Sequence, residues 1–233
     1  MVKSAGLPDG GAFLEPIRQV AGVRAGWIGR VGELGVGLER DAAMIALRRH
    51  HEREVATFAG AATARWWRAE QVHGNQVAVV PGAAEISGPD GLPLVPGVDG
   101  LITREPGHLL GIYVADCGAV WLADRRTGAV GVLHSGRKGT EMGILLVALE
   151  RMREEFGSRP EDVVVALGPC IRPPDYEVDF AAAIHEQARQ AGVRNFIDSG
   201  MNPASDLARF YSYRKELGRT GRMMAMIIRD FPT

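Results

Sequence analysis

A chain of 233 residues with 46% hydrophobic side chains can bury a substantial core, most simply as one domain. Its net charge of −1, with acidic and basic residues interspersed, provides no basic stripe for a phosphate backbone, so nucleic acid is not an expected partner. Residues 1–16 lack a basic segment followed by an apolar one, and the longest apolar run, 109–115, is far too short to span a bilayer; a cytoplasmic protein with no membrane partner is expected.

No period of 20 to 50 residues recurs, which excludes solenoids and propellers. Residues 39–58 set Met44, Leu47 and Val55 among many charges and predict an amphipathic helix on the outside, with His50 and His51 on it. From Gln76 the texture changes to short apolar runs punctuated by Gly, Pro and Asp. The runs 77–80, 99–103, 109–115, 119–123, 129–134 and 163–167 predict strands, several of them buried on both faces. Residues 81–96, rich in Gly and Pro, predict a surface loop or a lid over a nearby site. Residues 141–156 gather Ile144, Leu145, Ala148, Leu149, Met152 and Phe156 on one helical face. A second helix is predicted over 179–191, with Ala181, Ile184 and Ala188 inward and Gly192 as its stop. Periodicity allows strand or helix over 223–228; Ile227, Ile228 and the preceding Thr220-Gly221 turn favour a strand.

The chemistry sits at three junctions between an apolar run and a turn. Gln71-Val72-His73-Gly74, Ala115-Asp116-Cys117 and His134-Ser135-Gly136-Arg137-Lys138-Gly139-Thr140 offer two imidazoles and one thiol. His and Cys are preferred donors for zinc and copper, and three protein ligands leave a coordination position open. Each residue also has a plainer role: His73 as a surface or capping group, Cys117 as a small buried hydrophobe, Arg137 and Lys138 as a solvated turn. An acidic neighbour raises a thiol pKa, so Asp116 suits a thiolate at Cys117 only if a metal or a basic group offsets it. Alternatively, Asp116 holds a histidine ring through its second nitrogen. The turn after His134, with Arg137 and Lys138 and a following helix N-terminus, has the makings of a phosphate site. Gly131 and Gly136 have the separation of a nucleotide-binding P-loop, but the Lys and Ser or Thr that must follow the second Gly are missing, which disfavours nucleoside triphosphate hydrolysis. The two cysteines, Cys117 and Cys170, are too few for a disulfide framework.

Taken in order with Asp99-Gly100-Leu101-Ile102-Thr103, Leu122-Ala123-Asp124, Gly168-Pro169, Tyr176-Glu177-Val178, Tyr211-Ser212-Tyr213-Arg214 and Thr220-Gly221-Arg222, these blocks resemble the YfiH family. That family was long labelled multicopper polyphenol oxidase or laccase domain, is regarded as a family of purine nucleoside phosphorylases, and includes a peptidoglycan editing factor. The resemblance covers the motif-bearing part, 71–229, and is weak over residues 1–60. It implies a single α+β domain with mixed or antiparallel sheets flanked by helices, related to the catalytic domain of cytotoxic necrotizing toxins, with the site at strand ends. It implies His73, Cys117 and His134 as ligands of zinc, with copper as the other candidate. Cys117, His134 and Asp116 are then the expected catalytic groups, and Arg137 and Lys138 the expected phosphate-binding ones. Where the family usually reads His-Ala-Gly-Trp-Arg-Gly, this chain has Arg137 for the Trp and Lys138 for the Arg, and a lysine keeps the charge without the planar fork. Pro174-Asp175 stands where one common family form has a Cys pair.

The implied activity is phosphorolysis of adenosine, inosine or methylthioadenosine to base and sugar 1-phosphate, with adenosine deamination as a second activity. Three rivals remain open: copper-dependent phenol oxidation, for which six histidines are few, a metal-free cysteine hydrolase using Cys117 and His134, and a protein that only holds metal.

Overall fold

The alternation of side chains along the apolar runs decides the layering. In β7 (His108–Val114), Leu110, Ile112 and Val114 enter a central core while Leu109 and Tyr113 enter an outer one. In β8 (Gly118–Asp124), Ala119, Trp121 and Ala123 enter the same central core while Val120 and Leu122 face a third cluster. Successive strand residues point to opposite faces, so a continuous apolar run is what a strand covered on both sides requires. The structure, a computed structural model, describes residues 11–60 and 65–231; the leader reading made for residues 1–16 falls partly outside them.

Two main sheets result. One contains β1 (Val23–Ile28), β12 (Met223–Arg229), β7 and β2 (Arg65–Arg68), in that order. The other runs β11 (Asn195–Asp198), β10 (Val163–Leu167), β8, β9 (Val130–Ser135), β6 (Gly100–Thr103) and β3 (Val77–Val79). Both are mixed: β2 is parallel to β7, β3 to β6 and β11 to β10, and the other pairings are antiparallel. The sheets face each other across the central core, and the indole N–H of Trp121 crosses it to donate to the Met226 carbonyl at 2.9 Å. Helix α2 (Arg40–Ala59) covers the outer face of the first sheet through Met44, Val55 and Ala59. Helices α4 (Ile144–Phe156) and α5 (Phe180–Gln190) cover the outer face of the second through Leu145, Leu149, Met152 and Ile184. Each such side chain, fully buried, contributes about 1.5–3 kcal/mol over remaining exposed. None of the described helices is long and apolar enough to cross a membrane.

The predicted strands are all present, and 223–228 is a strand. The helix expected over 141–156 is present but begins three residues later, as α4, because Gly143, at φ 72, separates it from a short α3 (Arg137–Glu141). Residues 81–96 carry the small hairpin of β4 (Ile86–Ser87) and β5 (Pro93–Leu94), with Asp90 buried beneath it. Strands β1, β2 and β11 carry no clear signal in sequence. In β1 the reason is Gly26, where a Cβ would come within 2.7 Å of the Phe58 ring on α2, so close packing displaces the residue type that marks a strand. In β2 two tryptophans are flanked by arginines, and Arg68 is buried only because Asp90 meets it.

Candidate active site and metal centre

Pairing within the larger sheet brings the three junctions together. Cys117 immediately precedes β8 and His134 lies in β9, whose register sets Ala119 against His134 and Gly118 against Ser135. His73 comes from the loop between β2 and β3, and β3 borders β6, which in turn borders β9. The ligand atoms of His73, Cys117 and His134 all lie within 4.8 Å of one another, and the two imidazole rings meet edge to face at 4.8 Å between centroids. Gly136 permits this approach: a Cβ there would stand 2.7 Å from the Cys117 sulfur.

Asp99 organises the trio. Its buried carboxylate accepts the backbone N–H groups of Val72 at 3.2 Å, His73 at 2.9 Å and Gly74 at 2.7 Å, and it pairs with Nδ1 of His134 at 2.7 Å. Burial pushes the Asp99 carboxyl up, but the His134 and amide hydrogen bonds win and hold it below its ordinary value. An ionised Asp99 makes Nδ1 the donor, so His134 presents Nε2 to the site. Asp116, expected as the partner of a histidine ring, has a different task. Its Oδ2 accepts the Ser212 hydroxyl at 3.0 Å and the Arg214 amide at 2.7 Å, because the chain passes Asp116 at φ 79 and turns the side chain toward the 211–214 segment. The other oxygen, Oδ1, is buried without a partner, and burial raises the Asp116 pKa in spite of the two hydrogen bonds.

Electrostatics within the trio are those of a charge pair. Burial pushes the Cys117 thiol up, yet the facing His134 charge and hydrogen bonds to both histidines prevail and lower it to about 6. Burial likewise disfavours the His134 imidazolium, and the Cys117 sulfur and Asp99 outweigh that to raise it to about 9. The shift favours the thiolate of Cys117, the form that binds metal or attacks carbon.

The trio forms one wall of a cavity of ≈750 Å3. All four non-glycine residues with left-handed backbone among those described, Gln71, His73, Asp116 and Leu217, line it. Strain of this kind costs about 1–3 kcal/mol per residue and gathers at functional sites. At Gln71 the cost is offset by two hydrogen bonds, 2.5 and 2.7 Å, to the backbone of Tyr113. Arg137 reaches the cavity, whereas the exposed Lys138 is not among the lining residues, since the single turn of α3 carries it away. Five arginines line it in all: Arg40, Arg68, Arg137, Arg214 and Arg222. The sequence reading does not reach Asp99, Arg40 or Arg222 as site residues. The available signal for Asp99 is a charged residue opening an otherwise apolar strand. The remaining histidines serve packing: His51 lies buried against the Tyr113 ring, His108 accepts from the Trp67 indole at 2.8 Å, and His185 stacks on Phe196.

An α+β sandwich of two mixed sheets with a His, Cys, His centre at the strand ends defines a class of protein with one metal-capable site. The multi-copper polyphenol oxidoreductase laccase family matches over residues 21–183 and 177–230, and the chain belongs to this family, the YfiH family of the resemblance. The match begins at residue 21, inside the segment where the motifs are weak. A curated relative named purine nucleoside phosphorylase YlmD, from Geobacillus stearothermophilus, is 33% identical over 213 residues, covering 76% of this chain and 77% of its own. A purine nucleoside phosphorylase of Deinococcus radiodurans is 35% identical over 201 residues, 74% of each chain. The crystal structure of YlmD from G. stearothermophilus superposes with a TM-score of 0.74 at 29% identity, over 91% of this chain and 93% of that one. A Bacillus licheniformis protein, YfiH, shares the fold at 23% identity and a TM-score of 0.74, over 91% and 94%.

Proposed function

We propose that this chain is a metal-dependent purine nucleoside phosphorylase acting on adenosine, inosine or methylthioadenosine, with adenosine deamination as a second activity. The observation that carries the reading is the convergence of His73, Cys117 and His134, oriented by Asp99, on a cavity of nucleoside size in a chain whose relatives bear that name. Two imidazoles and a thiolate suit zinc first and copper second. A metal held by His73, Cys117 and His134 supplies positive charge and an open coordination position next to the cavity.

The rest falls to the chain's own groups. Tyr176 and Tyr213 line the cavity and supply the aromatic surface that a purine requires. In phosphorolysis the C1′–N9 bond breaks with its electron pair leaving on the base, a phosphate oxygen forms the new bond to C1′, and a proton ends on the base. Arginines around the cavity stabilise the anionic nucleophile and hold it in place. Purified protein given each nucleoside with phosphate should release free base in a phosphate-dependent way, lose that activity on chelation and recover it with zinc. Metal-replete protein that releases no base from any of the three overturns the reading.

One observation favours a second reading. Asp99, His134 and Cys117 also form an orienting acid, a base and a thiolate in series, the arrangement of a metal-free cysteine hydrolase. Activity that survives chelation and disappears on thiol alkylation would select it. Phenol oxidation by coupled copper ions is not proposed, because among the described residues one group of three or more donors converges, and coupled chemistry needs several.

A further inference from the structure

Of the five arginines in the cavity, three are already neutralised. Arg68 is paired with Asp90, Arg137 with Glu141 at 2.9 Å and Arg214 with Glu177 at 3.4 Å. Arg40 and Arg222 differ. Among the described residues no carboxylate lies within ion-pairing distance of either, and their hydrogen-bond partners are carbonyl oxygens alone. Arg40 donates to the Glu70 carbonyl at 2.8 Å, and one terminal nitrogen of Arg222 donates to the Thr220 and Gly221 carbonyls at 2.8 and 2.9 Å.

Those bonds hold the Arg222 guanidinium in place and leave Nε and the second terminal nitrogen without a protein partner. Arg222 is half-buried beside the Tyr213 ring, and burial together with the facing charge of Arg40 pushes its pKa below the ordinary value, as expected of cations short of negative charge. Arg40 and Arg222 line the same cavity, and two cations there without a carboxylate partner repel unless an anion accompanies them. A guanidinium offers a planar fork of donors that matches a tetrahedral oxyanion, and Arg222 lines the same cavity as Cys117 and Asp116.

We propose that Arg222 and Arg40 form the subsite for inorganic phosphate, in place of the Arg137 and Lys138 turn to which the sequence points. The inference rests on the phosphorylase reading for the identity of the oxyanion, and on the unpaired arginines for its place. It accounts for the substitution of Lys138 for the family arginine: a side chain that does not line the cavity is not required to keep a bidentate fork.

The test is calorimetric titration of the full-length protein with inorganic phosphate, alongside the Michaelis constants for phosphate and for nucleoside. Arg222→Gln and Arg40→Gln should each weaken phosphate about 10- to 100-fold while the nucleoside constant stays within about twofold, the size of effect expected from losing a charged hydrogen-bond donor. Arg222→Lys should recover part of the loss, and Lys138→Gln should leave phosphate affinity unchanged. Arg40 is exposed, so its variant keeps the test open if Arg222→Gln fails to fold. Phosphate affinity unchanged in Arg40→Gln and in a folded Arg222 variant overturns the subsite, as does a larger loss in Lys138→Gln. If wild-type protein releases base but phosphate constants do not move, the subsite fails and the phosphorylase reading stands. If phosphate binding depends on Arg222 and Arg40 but no base is released, the subsite stands and that reading fails.

Discussion

Two buried carboxylates hold cationic partners that line the same cavity, Arg68 and His134, and do opposite things with them. Asp90 and Arg68 close on each other: both carboxylate oxygens meet the guanidinium, at 2.6 and 2.9 Å, and the remaining Arg68 donors go to the Leu92 and Pro93 carbonyls. Four of the five guanidinium N–H groups are thereby used within the protein, and the pair fastens the 81–96 segment onto β2. Asp99 and His134 also pair at 2.7 Å, yet the pairing leaves Nε2 of His134 free and aims it at Cys117 and His73. A buried ion pair that satisfies itself is a clamp, and one that satisfies only one end of an imidazole prepares a site.

The clamp should show the largest stability effect. Asp90→Ala strands the Arg68 charge in the interior and is expected to destabilise the protein by about 3–5 kcal/mol in urea unfolding, with metal content per chain retained. A loss below about 1 kcal/mol would mean that water replaces the carboxylate and the clamp is ornamental. Asp99→Asn should act on function instead, lowering metal affinity by about 10- to 100-fold in competition with a chelator, since an outer carboxylate sets the ligand's orientation and basicity. If Asp99→Asn cost stability alone, the two pairs would be the same device.

Acid should separate them further. His51 is buried, and burial, followed by the neighbouring His50, lowers its pKa from 6.5 to about 3. The unfolded chain then binds a proton at His51 that the folded chain refuses. Stability contributed there is complete above pH 6.5 and falls as the pH drops toward about 3. His51→Leu should flatten that part of the urea midpoint against pH curve, and a curve of unchanged slope would show that His51 plays no part. The smallest effect belongs to Leu217, a residue at φ 53 that is 88% exposed on the cavity rim. Leu217→Gly should raise stability by roughly 1 kcal/mol by relieving the left-handed strain. A destabilised variant would show that the leucine side chain holds the rim together.

Much of the fold was legible because it rests on local periodicity. The runs at 109–115, 119–123 and 163–167 are continuous because both of their faces are covered, and the helix over 179–191 has its cap, inward face and glycine stop in sequence order. Strands β1 and β2 escaped because tertiary packing chose their residues: Gly26 makes room for Phe58, and Arg68 is tolerated for Asp90. The break between α3 and α4 turns on one glycine that the apolar pattern does not register.

The site divides in the same way. His73, Cys117 and His134 were recognisable as donors of the right chemistry at the right kind of junction, because residue type and local context are properties of the chain. Their meeting depends on the pairing of β6 and β8 with β9, which spacing along the chain does not encode. Which aspartate serves the histidine was open in sequence, since Asp116 adjoins the cysteine and Asp99 adjoins none of the donors. Backbone direction settled it, turning Asp116 toward Ser212 and setting Asp99 under three amides and an imidazole. The same holds for charge: composition counts arginines, and only the folded chain decides which of them find a carboxylate partner and which, like Arg40 and Arg222, have none among the described residues.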